Sequence, residues 1–163
     1  MATERPGRLS PPVIEQIALT LFAEIKQWLE SYGDAISERE EMEAFGTLKR
    51  ALSESSNWDG YALAKQLDEL GWEPDAELVA ILQDAERVSL TCYRETIIRW
   101  VKENKLKPKY KPSAHIEFKA PGTQETLNAK VMVVHPETLE YSIKLETRSD
   151  PIHLVVYEES ICG

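Results

Sequence analysis

At Pro112 the spacing of apolar residues changes from threes and fours to twos, and one regular architecture cannot serve both halves of such a chain. Upstream, Val13, Ile14, Ile17, Ala18, Leu21, Phe22, Ile25, Trp28 and Leu29 recur as one face of a helix. Ser10-Pro11-Pro12 predicts its start, with a capping hydroxyl and prolines where no amide needs a partner, and Gly33 its end. Ser37-Glu38-Arg39-Glu40 is a capping box opening a second helix, whose apolar side is Met42, Phe45, Leu48 and Leu52. Gly46 falls in the middle of that helix, a poor helix former there, and Ser53 to Asn57 stops it. A third is predicted from the cap Asp59 through Tyr61, Leu63, Ala64, Leu67 and Leu70 to a left-handed end at Gly71. From Pro74 to about Lys105 no further Gly or Pro occurs, so a fourth helix of about 48 Å is expected, with a break at Ser89 to Thr91 as the alternative. That length outruns a small bundle, so its distal part must pack on the C-terminal domain or on a second copy.

Downstream, Ala114, Ile116 and Phe118 alternate with polar neighbours, and Pro121-Gly122-Thr123 predicts a turn. Leu127 to His135 is a valine-rich run turned by Pro136-Glu137-Thr138. Leu139, Tyr141, Ile143 and Leu145 then alternate again, and Arg148-Ser149-Asp150-Pro151 turns the chain into Ile152 to Tyr157. The expected fold is α+β, with a bundle of about four helices over residues 1–106 and a small five-stranded barrel over 107–163.

The second segment resembles an SH3-like or Tudor-type small barrel. The features that carry the resemblance are Tyr110-Lys111-Pro112 entering a strand, Ala129-Lys130-Val131 leading to Pro136-Glu137-Thr138, and Tyr141-Ser142-Ile143-Lys144-Leu145. Tyr157-Glu158-Glu159-Ser160-Ile161 matches the short helical turn before the last strand. The resemblance implies binding of peptide, protein or nucleic acid rather than catalysis. No Trp lies beyond Trp100, so the aromatic groove of the branch that binds proline-rich ligands is thin.

Charge is lopsided. Residues 1–106 hold 20 acidic against 12 basic residues, a net of −8, and residues 107–163 hold 8 against 7. An overall −9 opposes broad contact with phosphate, but Lys102, Lys105, Lys107, Lys109 and Lys111 make a local patch. Most such runs are solvated helix ends and linkers. The helix-turn-helix look of Tyr61 to Leu82 is a helix pairing and not a DNA reader, since Glu73, Asp75 and Glu77 stand where bases need Arg, Lys, Asn or Gln.

Catalytic motifs are missing: no Gly-rich phosphate loop, GxSxG, HExxH or EF-hand loop occurs. His115, His135 and His153 have no ligand spacing, so neither a metal nor another cofactor is expected. Cys162 lies beside Glu158 and Glu159, which disfavour its thiolate, and Cys92 falls on an apolar helix face. Acid pairs such as Glu40-Glu41 and Asp68-Glu69 belong to caps and outward faces. Two distant cysteines, the lack of an apolar leader and the lack of a membrane-length apolar run predict a cytoplasmic chain without membrane association. Trp58 and Trp72, both beside turns, are expected to staple neighbouring helices.

The expected function is therefore a non-enzymatic protein–protein interaction or adaptor role, with a protein partner or a homodimer engaged through the acidic helical domain. The binding residues singled out are Lys105, Lys107, Lys109 and Lys111 with Tyr110, Tyr141 and Tyr157. With Phe118 these tyrosines would frame an aromatic cage, although small-core packing is the commoner use. The alternatives are nucleic-acid association through the Lys102 to Lys111 patch and the barrel, and an acidic inhibitor from a mobile element occupying a nucleic-acid-binding cleft.

Overall fold

A computed structural model describes residues 4–33, 35–55, 58–119, 125–146, 153–157 and 161–162. The predicted turns at Pro121-Gly122-Thr123 and Arg148-Ser149-Asp150-Pro151 lie outside the described residues, as do Ser56, Asn57 and the Glu158-Glu159-Ser160 turn. The side chains of His153 and Cys162 lie outside them too. Contacts divide the chain between Thr96 and Ile97 into two compact units, each with its own apolar core.

The first unit is helical: α1 (Pro11–Ser31), α2 (Glu38–Glu54), α3 (Gly60–Glu69), α4 (Ala76–Leu82) and the first part of α5 (Ala85–Glu103). Each helix starts where its cap chemistry permits. Ser37 and Glu40 form the capping box, with Ser37 N–H donating to Glu40 Oε2 at 2.8 Å and Glu40 N–H to Ser37 Oγ at 3.4 Å. Asp59 accepts from Ala62 N–H at 3.0 Å, and Asp75 from Leu78 N–H at 2.9 Å. Ser10 does occupy the N-cap of α1, but its hydroxyl makes no cap bond. Pro12 removes one of the two amides it would serve, and the other, Val13 N–H, is taken by the Ser10 carbonyl at 2.9 Å.

α1 packs on α2 and α4, and α3 on α2 and α4. Ile17, Ile25, Leu48, Leu52, Leu63, Leu67, Leu78 and Leu82 are fully buried between them. At roughly 1.5–3 kcal/mol for each large aliphatic side chain, this burial dominates the unit's stability. The expected fourth helix is divided, not at Ser89 to Thr91 but at Gln83 and Asp84. Gln83 keeps helical angles (φ −59°, ψ −27°), so the interruption is slight. It sits where α3 begins: a Cβ on Gly60 would come within 2.5 Å of the Val79 carbonyl oxygen and 2.8 Å of the Gln83 amide nitrogen. Glycine is thus required there for the close approach, as Gly71 is for its left-handed φ of 92°.

The second unit holds the end of α5 and a curled antiparallel sheet. Four strands form its body: β1 (His115–Lys119), β2 (Thr126–His135), β3 (Glu140–Leu145) and β4 (His153–Tyr157). Ile161–Cys162, β5, adds a two-residue edge to β1, giving the order β4-β3-β2-β1-β5. The expected five-stranded barrel is corrected to a four-stranded sheet, because the last segment, at Ile161, contributes only the pairs Glu117 with Cys162 and Phe118 with Ile161. A register shift between Val131 and Val133 bends β2, so its first half pairs mainly with β1 and its second with β3. The inner face collects Ile116, Phe118, Ala129, Val131, Tyr141, Ile143, Leu145, Val156 and Ile161. β4 stands at the other edge and, among the described residues, pairs only with β3.

Candidate interaction surfaces

The lysine patch follows the end of α5. Lys105 takes a left-handed φ of 52°, and Leu106 N–H reaches back to the Val101 carbonyl at 3.0 Å while Lys105 N–H bonds that of Lys102 at 3.2 Å. This is the same closure that Gly71 makes after α3, where Trp72 N–H bonds the Leu67 carbonyl at 3.0 Å. Beyond it, Lys105, Lys107, Lys109 and Lys111 are exposed, whereas Leu106, Pro108 and Tyr110 are half-buried.

The three tyrosines do not share a surface. Tyr141 is 0% exposed: its ring lies in the sheet's core, edge-on to Tyr110 at 5.8 Å, and its hydroxyl accepts from Lys109 N–H at 3.0 Å. Phe118 is equally buried. Tyr157 is 39% exposed and belongs to the other face, since it pairs with Glu140 while the adjacent Val156 pairs with Tyr141. An aromatic cage is therefore not formed by this set, because strand alternation divides Tyr141 from Tyr157.

His115 is exposed beside Glu146, and His135 Nε2 lies 3.2 Å from Ser142 Oγ. Among the described residues no three His, Cys, Asp or Glu side chains are grouped to hold a metal. Burial pushes the Cys92 thiol up, so it stays protonated in its apolar surroundings. No helix among the described residues is long and apolar enough to cross a membrane.

The surface that sequence reasoning missed lies on the helical unit, between α1 and α2. Leu19, Phe22, Met42 and Phe45, with Glu38 and Glu41, line a groove of about 490 Å³. Leu19 is 60% and Met42 69% exposed, while Phe22 and Phe45 meet edge to face at 5.2 Å beneath them. Lys26 bonds Glu41 at 2.6 Å, and this contact holds its ammonium above the usual lysine range. Leu19 was the available signal, an apolar residue off the buried stripe of α1.

A second constellation joins α1 to the α3–α4 turn. Trp28 and Trp72 stack at 5.8 Å and 18°, and Trp28 Nε1 donates to Asp75 Oδ1 at 3.0 Å. Tyr32 donates its hydroxyl to the other Asp75 oxygen. Hydrogen bonds from Tyr32 and from Leu78 N–H hold the Asp75 carboxyl below the usual range, and the same contact raises the Tyr32 phenol. Trp72 is anchored through this stack, and Trp58 is buried with its indole N–H donating to the Leu52 carbonyl at 3.0 Å.

Comparison with protein-family models, with curated proteins and with solved structures finds no match.

Proposed function

We propose that this chain is a non-enzymatic interaction or adaptor protein that engages a protein partner, or a second copy of itself, through its acidic helical domain. The observation that carries this reading is the α1–α2 groove, where two large apolar side chains stand in water beside two aromatic rings. Isolated exposed apolar residues are ordinary, but a contiguous set rimmed by charge is the usual form of a protein-binding face. The test is mass in solution by light scattering at two salt concentrations, with and without a nucleic-acid ladder. A salt-stable species of about 37 kDa, twice the chain's 18.6 kDa, is expected for self-association, and Leu19→Glu with Met42→Glu should return it to the monomer. A mass of 18.6 kDa under every condition removes the second copy and leaves a different protein as partner.

One observation favours a second reading, nucleic-acid association: the exposure of Lys105, Lys107, Lys109 and Lys111 within seven residues. Gain of mass with nucleic acid only at low salt, abolished by Lys107→Glu with Lys109→Glu, would establish it. The acidic-inhibitor alternative rests on the −8 of residues 1–106 alone. For the second unit we infer an SH3-like barrel. The strand order β4-β3-β2-β1-β5 and the bend in β2 support it, since such a barrel is one sheet folded over at that strand. The reading places the chain in the cytoplasm, without cofactor, metal or membrane.

A further inference from the structure

A second groove, of about 430 Å³, opens between the α1 C-terminus, α2 and the α3–α4 turn. Its size falls in the range of small-ligand sites, roughly 300–1,000 Å³. Trp72, half-buried and backed by the buried Trp28, forms one wall; Glu40, Glu43 and Glu73 supply its charge, and among the described residues no lysine or arginine lines it. The tryptophan wall is held in place. Asp75 fixes the Trp28 indole N–H, Trp72 stacks on that ring, and Gly71 turns the chain so that Trp72 and Glu73 reach the groove. The carboxylates differ in engagement. Glu40 is kept below the usual range by Ser37 of the capping box, so it remains negative while bonded to neutral donors. Glu43 meets Arg39 at 2.9 Å in an exposed pair, the kind that water and competing cations readily replace. Glu73 is exposed.

We propose that this groove binds the arginine side chain of a basic segment on a protein partner. The inference rests on the interaction reading of the helical domain but concerns a different surface from the Leu19–Met42 groove. Arginine is selected over other cations on two grounds: its planar guanidinium stacks on an indole, and its fork of donors meets carboxylates in pairs. Lysine, a compact and strongly hydrated charge, satisfies neither requirement as well. A groove open to solvent along one side suits a side chain carried on a peptide backbone more than an enclosed metabolite.

The test is a nuclear magnetic resonance titration of the whole chain, following the indole N–H signals of Trp28 and Trp72. The probes are blocked Ala-Ala-Arg-Ala-Ala and its lysine and citrulline counterparts at low salt, with spermidine and choline as free cations. Saturable shifts of the Trp72 signal with the arginine peptide are expected, at least about threefold weaker with lysine and absent with citrulline. Glu73→Gln, an exposed change that disturbs none of the contacts described above, should weaken the arginine peptide by about two- to fivefold, and Glu43→Gln with Glu73→Gln further. No saturable shift overturns the proposal. So does equal binding of choline or spermidine, which would make this a small-cation site, and so does arginine binding unaffected by the two glutamate changes. None of these outcomes bears on the mass measurement at the Leu19–Met42 groove, so the two readings fail separately.

Discussion

Single residues here are set by the space and dihedral angle each is allowed. Gly46 lies mid-helix in α2 with nothing within 4 Å of where a Cβ would stand, and it is exposed. Gly46→Ala is therefore expected to raise stability by about 0.5–1 kcal/mol in urea unfolding, chiefly by restricting the unfolded chain. Gly60→Ala should do the reverse by about 1–3 kcal/mol, since its methyl meets the backbone of Val79 and Gln83. Asp75 adds a pH signature. Its carboxyl is depressed when folded, so its contribution is present above about pH 4 and is lost as pH falls through the lower folded value. The Tyr32 phenol is raised, so its contribution is present below about pH 10 and is lost as pH rises past the folded value. Asp75→Asn keeps a competent cap and removes the charge. The gap in melting temperature between the parent chain and this variant should be widest near neutrality and close below pH 4. A gap of constant width would deny the carboxylate this role.

Elements were legible in the sequence to the extent that their signals are local. The capping box at Ser37, the caps at Asp59 and Gly71 and the alternation of the strands each name a boundary within a few residues, and those boundaries stand. What was not legible depends on partners distant in sequence. Gly60 meets α4 only once α3 has folded back, so the interruption at Gln83 has no local marker. The bend in β2 arises from two different partner strands. Of the seven residues singled out for binding, the four lysines and Tyr157 are exposed, Tyr110 is half-buried and Tyr141 is core. Alternation alone could not say which phase faces in. Lys105 shows the same limit: a left-handed end after α5 is expected of glycine, and a lysine takes it. Lys105→Gly should raise the unfolding free energy by about 1 kcal/mol by relieving that conformation. No gain would mean that the lysine side chain offsets the strain.

The whole molecule joins an acidic helical unit to a sheet with little net charge, and the edge of that sheet has a consequence for colloidal behaviour. β4 presents His-Leu-Val-Val-Tyr with no lysine, glutamate or proline, and Val155 is 61% exposed. Natural edges are commonly blunted by such residues, and none occurs among the described residues of this strand. At neutral pH the net −9 keeps copies apart; near pH 4.9, where net charge vanishes, that repulsion is gone while the strand is unchanged. Turbidity should therefore peak close to that pH, and Val155→Lys should suppress it by more than the shift in isoelectric point accounts for. The charge carried by the helices then acts as the dispersant for a strand in the other unit.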